Sequence, residues 1–543
     1  MKKSERKIEG KIERKELRKG FGGVDDRFGV SDRFGVGDRF GVVHLELLDA
    51  ASRHWLAMGR FRSDRERCKR YCYGRQWDDV IEVDGQRMKE EDYIRSQGNV
   101  PLKNNLIRRL VRSVLGVFRN QYSYPEAEKL ELLTSDSDQK LLYGRLLLNA
   151  ERNRLEELHA RTMEEFLISG LAVHRKSLAP PPEGAGGMPA VLSLTSYVAP
   201  DSFFLDSATR DIRGWDARLV GQIHDVDFPT LCASLARGPE DVVALRGIYG
   251  EATGQSGETE LFRSCYGMPS GGGAFGGEDI AAMRDFYRSS APGLCRVIEI
   301  WTRESTERYR IHDRRSGELY KIESADYYQF RTRYEEEITA GQITLQWIVD
   351  DVWRYHYLSP SGHVLAEGIS PIPGGGQPYV WKAYPFIDGE IHSFVSDVID
   401  QQRHTNRLIT LYDWVIRSSA KGVLLFPESA LPDDVEIDDI SDEWSRFNGV
   451  ILFRPKAGMP LPQQVSGGAS QAGITDLLNI QLKMLEDVSG VNGALEGKIN
   501  SGSVSGTLYN QQTRQAMTAL LDILESYNAF ILEGARLDLR IIG

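Results

Sequence analysis

The stretch Ile391-His-Ser-Phe-Val-Ser-Asp-Val-Ile-Asp-Gln-Gln-Arg-His-Thr-Asn406 is the most informative part of this 543-residue sequence. Apolar residues recur at helical spacing within it and after it, which predicts one long helix over residues 391–418. Residues 400–407 are polar on every side, which is unusual inside an otherwise amphipathic helix. We therefore expect this polar part to face a neighbouring subunit or a channel, with a simple solvent-exposed turn as the alternative. The candidate interface residues are Gln402, Arg403, Asn406 and Arg407.

A strand-rich block precedes this helix. Between residues 294 and 384, β-branched and aromatic residues alternate or cluster, and a charged helix is predicted among them at residues 325–339. Glycine-rich stretches near both ends of the block are typical of linkers. Its surface arginines predict a contact face for a partner, with an ordinary solvated β surface as the alternative. The predicted strands are residues 296–301, 307–312, 319–323, 344–349 and 353–358, and the arginines are Arg303, Arg308, Arg310, Arg314 and Arg315.

Helix and strand patterns follow one another irregularly along the rest of the chain. This predicts an α+β protein of several segments and not a repeating βαβ fold. The predicted helices are residues 102–117, 138–171, 474–488 and a last one from residue 508 onward, and the short strands are residues 191–194, 203–205, 217–221, 422–426 and 449–453.

The first 44 residues have a different texture. A basic segment is followed by three copies of Asp-Arg-Phe-Gly-Val, which begin at Asp26, Asp32 and Asp38. Three such copies are too few to build a repeat fold. We expect a flexible basic arm over residues 1–44, with folded sequence beginning near Leu45.

Composition excludes several classes of protein. The chain has 78 acidic and 67 basic residues, a net charge of -11, and 41% hydrophobic residues, which is enough for a large core. A disordered acidic chain is therefore excluded, and no apolar segment is long enough for an integral membrane protein. Five cysteines cannot form a disulfide framework and favour a reducing compartment. Cys68 and Cys72 have no second pair at metal-ligand spacing, so buried thiols are expected there.

No motif in the sequence supports catalysis. Residues 493–499 resemble a phosphate-binding loop, but the segment is one residue short and has Ile499 where a hydroxyl is required. Residues 502–506 resemble a nucleophile elbow, but Val504 occupies the position of the nucleophile. We predict no catalytic residue, no metal and no cofactor. The alternative is a metal-dependent DNA-processing enzyme, whose metal ligands would be Asp350, Asp351 and Glu367.

A glycine- and serine-rich segment, residues 489–506, lies between two predicted helices. It has five glycines, four serines and two asparagines. A loop that reshapes around a moving duplex needs such backbone freedom. Its Lys498 would touch phosphates transiently, and Glu496 would prevent a tight grip. The alternative is a disordered helix–helix connection outside any channel. The candidate DNA-contacting residues are Glu496, Lys498, Asn500, Ser501 and Ser503.

Several of these segments resemble the portal (head-to-tail connector) proteins of tailed bacteriophages, of podovirus-like type. Each element alone is weak, but their order spans the chain from Tyr73 to about Phe530. The elements are Tyr73-Gly-Arg-Gln-Trp77, Asn104-Asn-Leu-Ile107, Gly116-Val-Phe-Arg-Asn120, Glu164-Glu-Phe-Leu-Ile-Ser-Gly170, Val198-Ala-Pro-Asp-Ser-Phe-Phe-Leu-Asp206, Val297-Ile-Glu-Ile-Trp301, Pro385-Phe-Ile-Asp-Gly-Glu390, the stretch from Asp397 to Asn406, Val488-Ser-Gly-Val-Asn492 and Ser501-Gly-Ser-Val-Ser-Gly506.

The resemblance implies a homo-oligomer of twelve subunits that forms a ring at one capsid vertex. The ring would be a conduit for DNA packaging and ejection, located in the virion and assembled in the bacterial host cytoplasm. The implied partners are double-stranded DNA, the terminase large subunit, the major capsid or scaffolding protein and a head-completion or tail adaptor protein, with no membrane. The acidic composition agrees, because a strongly basic bore would bind DNA instead of letting it slide. Another structural capsid or adaptor protein, without a closed ring, is a further alternative.

The resemblance also divides the chain into portal regions. Arg303, Arg308, Arg310 and Arg314 would contact terminase from the clip, the β-rich region of the subunit. Portals usually continue well past the last helix, so a partial or absent crown is expected here. The arm lies outside the family pattern, which allows a true start farther downstream, for instance at Met58. The expected regions are the arm (1–44), an α+β wing (45–290), the clip with flanking stem segments (291–390), a stem or wing helix (391–420), wing return strands and a helix (421–488), the channel loop (489–506) and a C-terminal helix toward the crown (507–543).

Overall fold

The computed structural model describes residues 40–125, 136–180, 191–250, 284–421, 423–425, 463–465, 471–491 and 517–542. These residues form helices and antiparallel sheets, so the predicted α+β class is confirmed. They belong to two compact units. The large unit draws on Met1–Lys69, Val111–Ser396 and Gly493–Gly543, and the small unit draws on Arg70–Leu110 and Asp397–Asn492.

The helices and strands are numbered along the chain. The helices are α1 (Leu45–Ala57), α2 (Gly59–Cys72), α3 (Glu90–Ser96), α4 (Leu106–Gln121), α5 (Asp136–Arg152), α6 (Leu155–Ser169), α7 (Phe228–Leu235), α8 (Pro239–Gly250), α9 (Tyr327–Arg333), α10 (Glu335–Thr339), α11 (Phe394–Lys421), α12 (Gln471–Ser489) and α13 (Leu521–Ile542). The strands are β1 (Val80–Val83), β2 (Gln86–Lys89), β3 (Leu171–Ala179), β4 (Leu192–Tyr197), β5 (Phe203–Leu205), β6 (Leu219–Asp227), β7 (Leu294–Asp313), β8 (Glu318–Glu323), β9 (Ile343–Leu358), β10 (Val364–Ile369), β11 (Tyr379–Ala383), β12 (Phe386–Ile387), β13 (Glu390–Ile391), β14 (Val423–Leu425) and β15 (Gln463–Val465).

The main sheet of the large unit is built around β7 and β9. These strands pair without a register shift from Ile298 opposite Leu358 to Asp313 opposite Ile343. The strand order is β10-β9-β7-β6-β5, and β8 also pairs with β7. Because β6 pairs with the first part of β7 and β8 with its last part, the outer half of the β7–β9 pair extends past β6. We call this outer half, together with β8, the outer hairpin.

The long strands β7 and β9 each correspond to two shorter predicted strands. The sequence analysis separates them at residues 302–306 and 350–352, where the apolar alternation is lost. The structure bridges this polar part with side chains, because Arg303 and Ser305 on β7 donate hydrogen bonds to Asp351 on β9, at 2.7 and 2.8 Å. Cross-strand polar pairs of this kind continue a ladder where apolar contacts are missing.

Aromatic and aliphatic side chains from α1 and from β5, β6, β7, β9 and β10 form most of the core of the large unit. Trp55 on α1 meets Phe204 on β5 edge to face, with 6.0 Å between the ring centroids. Ile298 and Ile300 on β7 belong to the same cluster and are fully buried. Burial of apolar surface, worth roughly 25 cal/mol per Å², makes this cluster the main stabilising layer of the unit.

A second sheet, in the order β11-β3-β4, packs against α6 and α13. Gly170 ends α6 with a φ of 78° and is followed directly by β3. A side chain at this position would collide with the backbone carbonyl of His392. Asp538 on α13 is fully buried and accepts hydrogen bonds from Lys176 and Ser193, at 2.7 and 2.6 Å. These bonds tie the C-terminal helix to the sheet.

The single helix predicted at residues 138–171 is two helices, α5 and α6. Between them, Arg154 has a left-handed φ of 48°. The preceding residue, Asn153, donates to the backbone carbonyl of Ser193 and accepts from the backbone N–H of Thr195, each at 2.9 Å. Contacts with β4 therefore end the first helix, although the apolar periodicity continues.

The small unit contains the β1–β2 hairpin, α3, α12 and most of α11. The helix predicted at residues 391–418 is observed as α11, and the Ser393 hydroxyl caps it by accepting from the backbone N–H of Ser396 at 3.0 Å. The strand predicted at residues 422–426 is observed as β14, whereas residues 449–453 lie outside the described residues. No described helix is long and apolar enough to cross a bilayer.

Candidate functional site

The polar middle of α11 is the centre of a hydrogen-bond network in the small unit. Gln402 is fully buried, and Asn406 is 1% exposed. The side-chain oxygen of Gln402 accepts from the backbone N–H groups of Leu106 and Ile107, at 2.9 and 3.2 Å. These are the first amides of α4, which a helix leaves without a partner of its own. Gln402 thus supplies a cap for the start of another helix.

Gln76 and Asn104 extend the network. Asn406 donates from Nδ2 to Gln76 Oε1 at 2.6 Å and accepts from the backbone N–H of Asn104 at 3.1 Å. Gln76 also donates to Asn105 Oδ1 at 3.1 Å. Three of the elements found in the sequence, at residues 73–77, 104–107 and 397–406, therefore meet in one place. Their polar residues bond one another.

Glu90 is a member of this cluster that the sequence analysis misses. It begins α3, and its side chain is only 4% exposed. Its two oxygens accept from Arg403 Nη2 and Arg407 Nε, each at 2.7 Å. Burial opposes the charge of Arg403, but hydrogen bonding to Glu90 and its negative charge raise the pKa of that guanidinium above the ordinary value. In the sequence, Glu90 is distinguished only as one of the acidic residues in the first turn of a helix, and such residues are usually solvated.

The four residues predicted to face a neighbouring subunit differ in how much surface they retain. Gln402 and Asn406 are enclosed by their own chain and form hydrogen bonds within it. Arg403 and Arg407 keep 24% and 49% of their side-chain surface exposed while they bind Glu90. Contact with a neighbouring subunit stays a prediction. Of the four residues, Arg403 and Arg407 have the exposed surface that such a contact needs.

Arg303 and Arg308 on β7 are paired with acidic residues of β9. Arg303 donates to Asp351 at 2.7 Å, and Arg308 lies 3.6 Å from Asp350. Hydrogen bonds from Ser305 and Arg303 lower the pKa of Asp351 below its ordinary value. In the single chain, these two arginines are therefore compensated by carboxylates.

Arg310 and Arg314 lie farther out on the same hairpin. Arg310 is opposite Gln346 on one side and Lys321 on the other, so two cationic side chains are adjacent. The backbone N–H of Arg314 donates to the carbonyl of Gln342 at 2.9 Å, next to the last β7–β9 pair. These two residues and Arg308 belong to one end of the large unit. Contact with terminase at this end stays a prediction.

The other face of the outer hairpin is mostly apolar, with Glu307 directly opposite Val349. Trp347 and Val349 on β9 are 52% and 58% exposed, and as residues i and i+2 of a strand they share a face. Tyr309, opposite Trp347 in the register, is covered by Tyr327 of α9, with stacked rings 4.1 Å apart. The α9 helix therefore covers part of this face and leaves Trp347 and Val349 in contact with solvent. Exposed apolar patches of this kind mark interaction sites.

The carboxylates of the alternative enzyme hypothesis do not converge. Asp350 and Asp351 are adjacent on β9, so their side chains leave opposite faces of the strand, and each is paired with an arginine. Glu367 lies on β10 opposite His356. At about 3.3 Å per residue, that position is roughly 20 Å along β9 from Asp350. The proposed set of three ligands is therefore wrong.

The segment predicted to line a DNA channel falls mostly outside the described residues. The α12 helix ends at Ser489, and Val491 after it is buried. Residues 492–516 are not among the described residues, nor are residues 1–39 of the basic arm. The predicted DNA-contacting residues that lie outside are Glu496, Lys498, Asn500, Ser501 and Ser503.

Comparison with known proteins bears on the same part of the chain. A family model described as "Phage P22-like portal protein" matches residues 180–542, about two thirds of the sequence. The matched residues include the outer hairpin, all of α11 and all of α13. No curated protein matches the chain.

Proposed function

We propose, since the chain belongs to the phage P22-like portal protein family, that identical copies close into a ring at one vertex of a phage capsid. The expected number of copies is twelve. The family is structural and not enzymatic, and it implies a component of the virion. The ring would be the conduit for DNA during packaging and ejection, and the docking site first for terminase and then for a tail or head-completion adaptor.

The observation that carries the ring proposal is the exposed apolar face of the outer hairpin. Trp347 and Val349 are large side chains held by a rigid, register-matched ladder, and each is more than half exposed. Full burial of a large apolar side chain contributes roughly 1.5–3 kcal/mol of stability, and this contribution is lost while the side chain stays in water. A neighbouring copy of the same hairpin would cover them, and a heterologous contact between copies closes into a ring when its rotation closes. The outer hairpin corresponds in this proposal to the clip.

The charged face of the same hairpin suits a transient partner. Arg308, Arg310 and Lys321 lie close together on β7 and β8 and outnumber the neighbouring acidic residues Asp350 and Glu323, so this face keeps a net positive charge, opposite in sign to the protein as a whole. Surface charges of this kind raise association rates, and salt weakens them. These properties fit terminase, which must bind during packaging and leave afterwards. The terminase large subunit is therefore the proposed partner of this face.

The net charge of the chain fits a conduit for DNA. A ring of chains that each carry a charge of -11 has little tendency to hold duplex DNA by counterion release. The segment at residues 489–506, with Lys498 and Glu496, would provide brief phosphate contacts in the bore. This role is proposed from the sequence of the segment.

Ring formation tests the first proposal. Sedimentation velocity and negative-stain imaging of the wild-type protein should give a closed ring with an axial hole. The double variant Trp347→Glu/Val349→Lys should fold, as judged by far-UV circular dichroism, but stay as single chains of 61.1 kDa. Val243→Lys, at a residue of α8 that is 71% exposed, is the matched control and should form rings. Normal rings from the double variant would refute the apolar contact, and a wild-type protein that never forms rings would refute the function.

Binding kinetics test the terminase proposal. The double variant Arg308→Glu/Arg310→Glu should associate with the terminase large subunit of the same phage at least about 10-fold more slowly at low salt, because the steering charge is reversed. The single variant Arg288→Glu, an exposed arginine outside the hairpin, is the control for charge reversal. An association rate that both variants leave unchanged would assign terminase to another surface.

A further inference from the structure

Three side chains of the large unit meet where β9 and β10 pair beside the start of α1. Glu367 Oε2 lies 3.2 Å from His44 Nε2 and 3.4 Å from His356 Nδ1. Glu367 and His356 are directly opposite each other in the β9–β10 register, and His44 immediately precedes α1. The ligand atoms all lie within 4.8 Å of one another.

His356 is the unusual member of this cluster. The residue is 8% exposed, and the carboxylates that face its two ring nitrogens lie at the long end of the hydrogen-bonding range or beyond it. Glu367 is 3.4 Å from Nδ1, and Glu304 Oε1 is 4.0 Å from Nε2. A buried imidazole without hydrogen bonds is costly, because the desolvation of its polar atoms is not compensated. These long contacts leave room for a ligand on Nδ1 and for a closer approach of Glu304 to Nε2.

The geometry points to a binding site for a first-row divalent metal ion, best matched by Zn²⁺, held by His44 Nε2, His356 Nδ1 and Glu367 Oε2. Ligands about 2.1 Å from a tetrahedral zinc ion stand roughly 3.4 Å apart. The separations of 3.2 and 3.4 Å from Glu367 agree with this spacing, and the two histidine nitrogens lie within 4.8 Å of each other. Two imidazoles and one carboxylate are donors that zinc prefers over magnesium or calcium, with water as the fourth ligand.

Glu304 completes the arrangement from outside the ligand set. A histidine that binds a metal through one nitrogen usually donates its other N–H to a carboxylate. Glu304 Oε1 lies on the Nε2 side of His356, and Arg354 Nε holds the other oxygen of Glu304 at 3.2 Å. A small movement of Glu304 toward His356 would make this hydrogen bond.

The metal would anchor the start of α1 to the β9–β10 hairpin. The chain before α1 already follows the hairpin, because the backbone N–H of His44 donates to the carbonyl of Gly362 at 3.0 Å, and the N–H of Val364 donates to the carbonyl of Val42 at 2.9 Å. A metal ion shared by His44 and the hairpin would stabilise the attachment by mass action.

Calorimetric titration of chelator-treated full-length protein with Zn²⁺ tests the site. We expect one Zn²⁺ per chain and no binding of Mg²⁺ under the same conditions. The ligand variants His44→Ala and Glu367→Gln should bind Zn²⁺ at least about 10-fold more weakly, and Glu304→Gln roughly 10-fold more weakly. His404→Ala removes an exposed histidine of the small unit and should bind as the wild type does. Wild-type affinity in Glu367→Gln, or equal losses in all four variants, would overturn the site.

Hydrogen–deuterium exchange tests the anchoring role separately from affinity. Zn²⁺ should slow exchange of the backbone amides of residues 44–48 at least 10-fold in the wild-type protein and leave them unchanged in Glu367→Gln. Exchange that Zn²⁺ does not alter in the wild-type protein would overturn the anchoring role. Both measurements are independent of ring assembly and of DNA packaging, so their failure would not affect the proposed function.

Discussion

Replacing Glu299 by alanine should severely destabilise the large unit. Glu299 lies on β7 within Val297-Ile-Glu-Ile-Trp301 and is fully buried. Its oxygens accept hydrogen bonds from His224 and Trp301, both at 2.7 Å, and from Arg175 and Tyr357, both at 3.1 Å. Burial alone would raise the pKa of Glu299, but Arg175 and these hydrogen bonds hold it well below the usual range. The carboxylate is therefore charged and fully bonded.

The magnitude follows from what Glu299→Ala leaves behind. The side chain of Arg175 is 11% exposed, so its guanidinium would stay in the interior without a carboxylate. Removing one partner of a buried ion pair typically costs about 3–5 kcal/mol. The double variant Arg175→Leu/Glu299→Leu removes both charges and should recover much of that loss, because a buried pair and an apolar replacement are often similar in stability.

Native-state hydrogen exchange of the β6–β7 amides is the appropriate assay, because a chain with two units need not unfold in a single step. A loss of about 3–5 kcal/mol corresponds to exchange roughly 100- to 5,000-fold faster at the same pH, at about 1.4 kcal/mol per factor of ten. Glu304→Gln on the same strand, in metal-free buffer, is the matched control. Glu304 is 44% exposed and pairs with Arg354, so at most about 1 kcal/mol is expected.

Two outcomes would refute this reasoning. Exchange in Glu299→Ala that differs from the wild type by less than a factor of five would mean that the buried charge is not paired as described. A double variant as unstable as Glu299→Ala would mean that the cost does not come from the unpaired guanidinium but from lost packing or from the donors of His224, Trp301 and Tyr357 left without an acceptor.

Three further results are expected. Gly170→Ala should lower the free energy of unfolding by about 1–3 kcal/mol or more, and with it the midpoint of thermal unfolding, because the φ of 78° and the adjacent backbone carbonyl both disfavour a side chain. Gly144→Ala, in open space on α5, should not lower the midpoint. Acidification should destabilise the large unit, because burial lowers the pKa of His159 to about 3 and that of His174 well below 6.5, so that only the unfolded chain takes up these protons. The stability present above pH 6.5 should therefore fall by about 1.4 kcal/mol per pH unit for each histidine as the pH is lowered. In urea titrations between pH 7 and 5, His159→Gln should reduce this slope. Asn406→Ala should lower the free energy of unfolding of the small unit by about 1–3 kcal/mol, and so lower its urea midpoint, because it leaves buried polar partners unsatisfied. An unchanged midpoint would contradict the network.

The predicted organisation around α11 shows how far local patterns reach. Helical spacing of apolar residues correctly predicts the helix, because residues three and four apart share a face in any helix. The same pattern flags the polar stretch at residues 400–407 but cannot supply its partners. Glu90, which binds Arg403 and Arg407, comes from a short helix near the other end of the chain. A lone acidic residue has no periodicity that would distinguish it from a solvated one.

In the strand-rich block, local patterns divide strands that are continuous in the structure. Propensity places strands in the right region but separates β7 and β9 into pieces, because it evaluates each short window alone. The continuous ladder depends on Arg303 and Ser305 meeting Asp351 across the sheet. Likewise, Asp350, Asp351 and Glu367 look equivalent as carboxylates in the sequence. Pairing of the strands separates Glu367 from the other two and sets it beside His356.

The amino-acid sequence by itself determines the α+β class, the long helix with its polar middle, the strand-rich block and the order of motifs that resembles phage portal proteins. All of these depend on residues that are close in the chain or on their linear order. Only the tertiary structure decides that Glu90 binds two arginines, that Glu299 is buried against Arg175, and that His44 joins His356 and Glu367. Such contacts form between residues far apart in sequence, and their energies depend on burial, which exists only after the chain has folded.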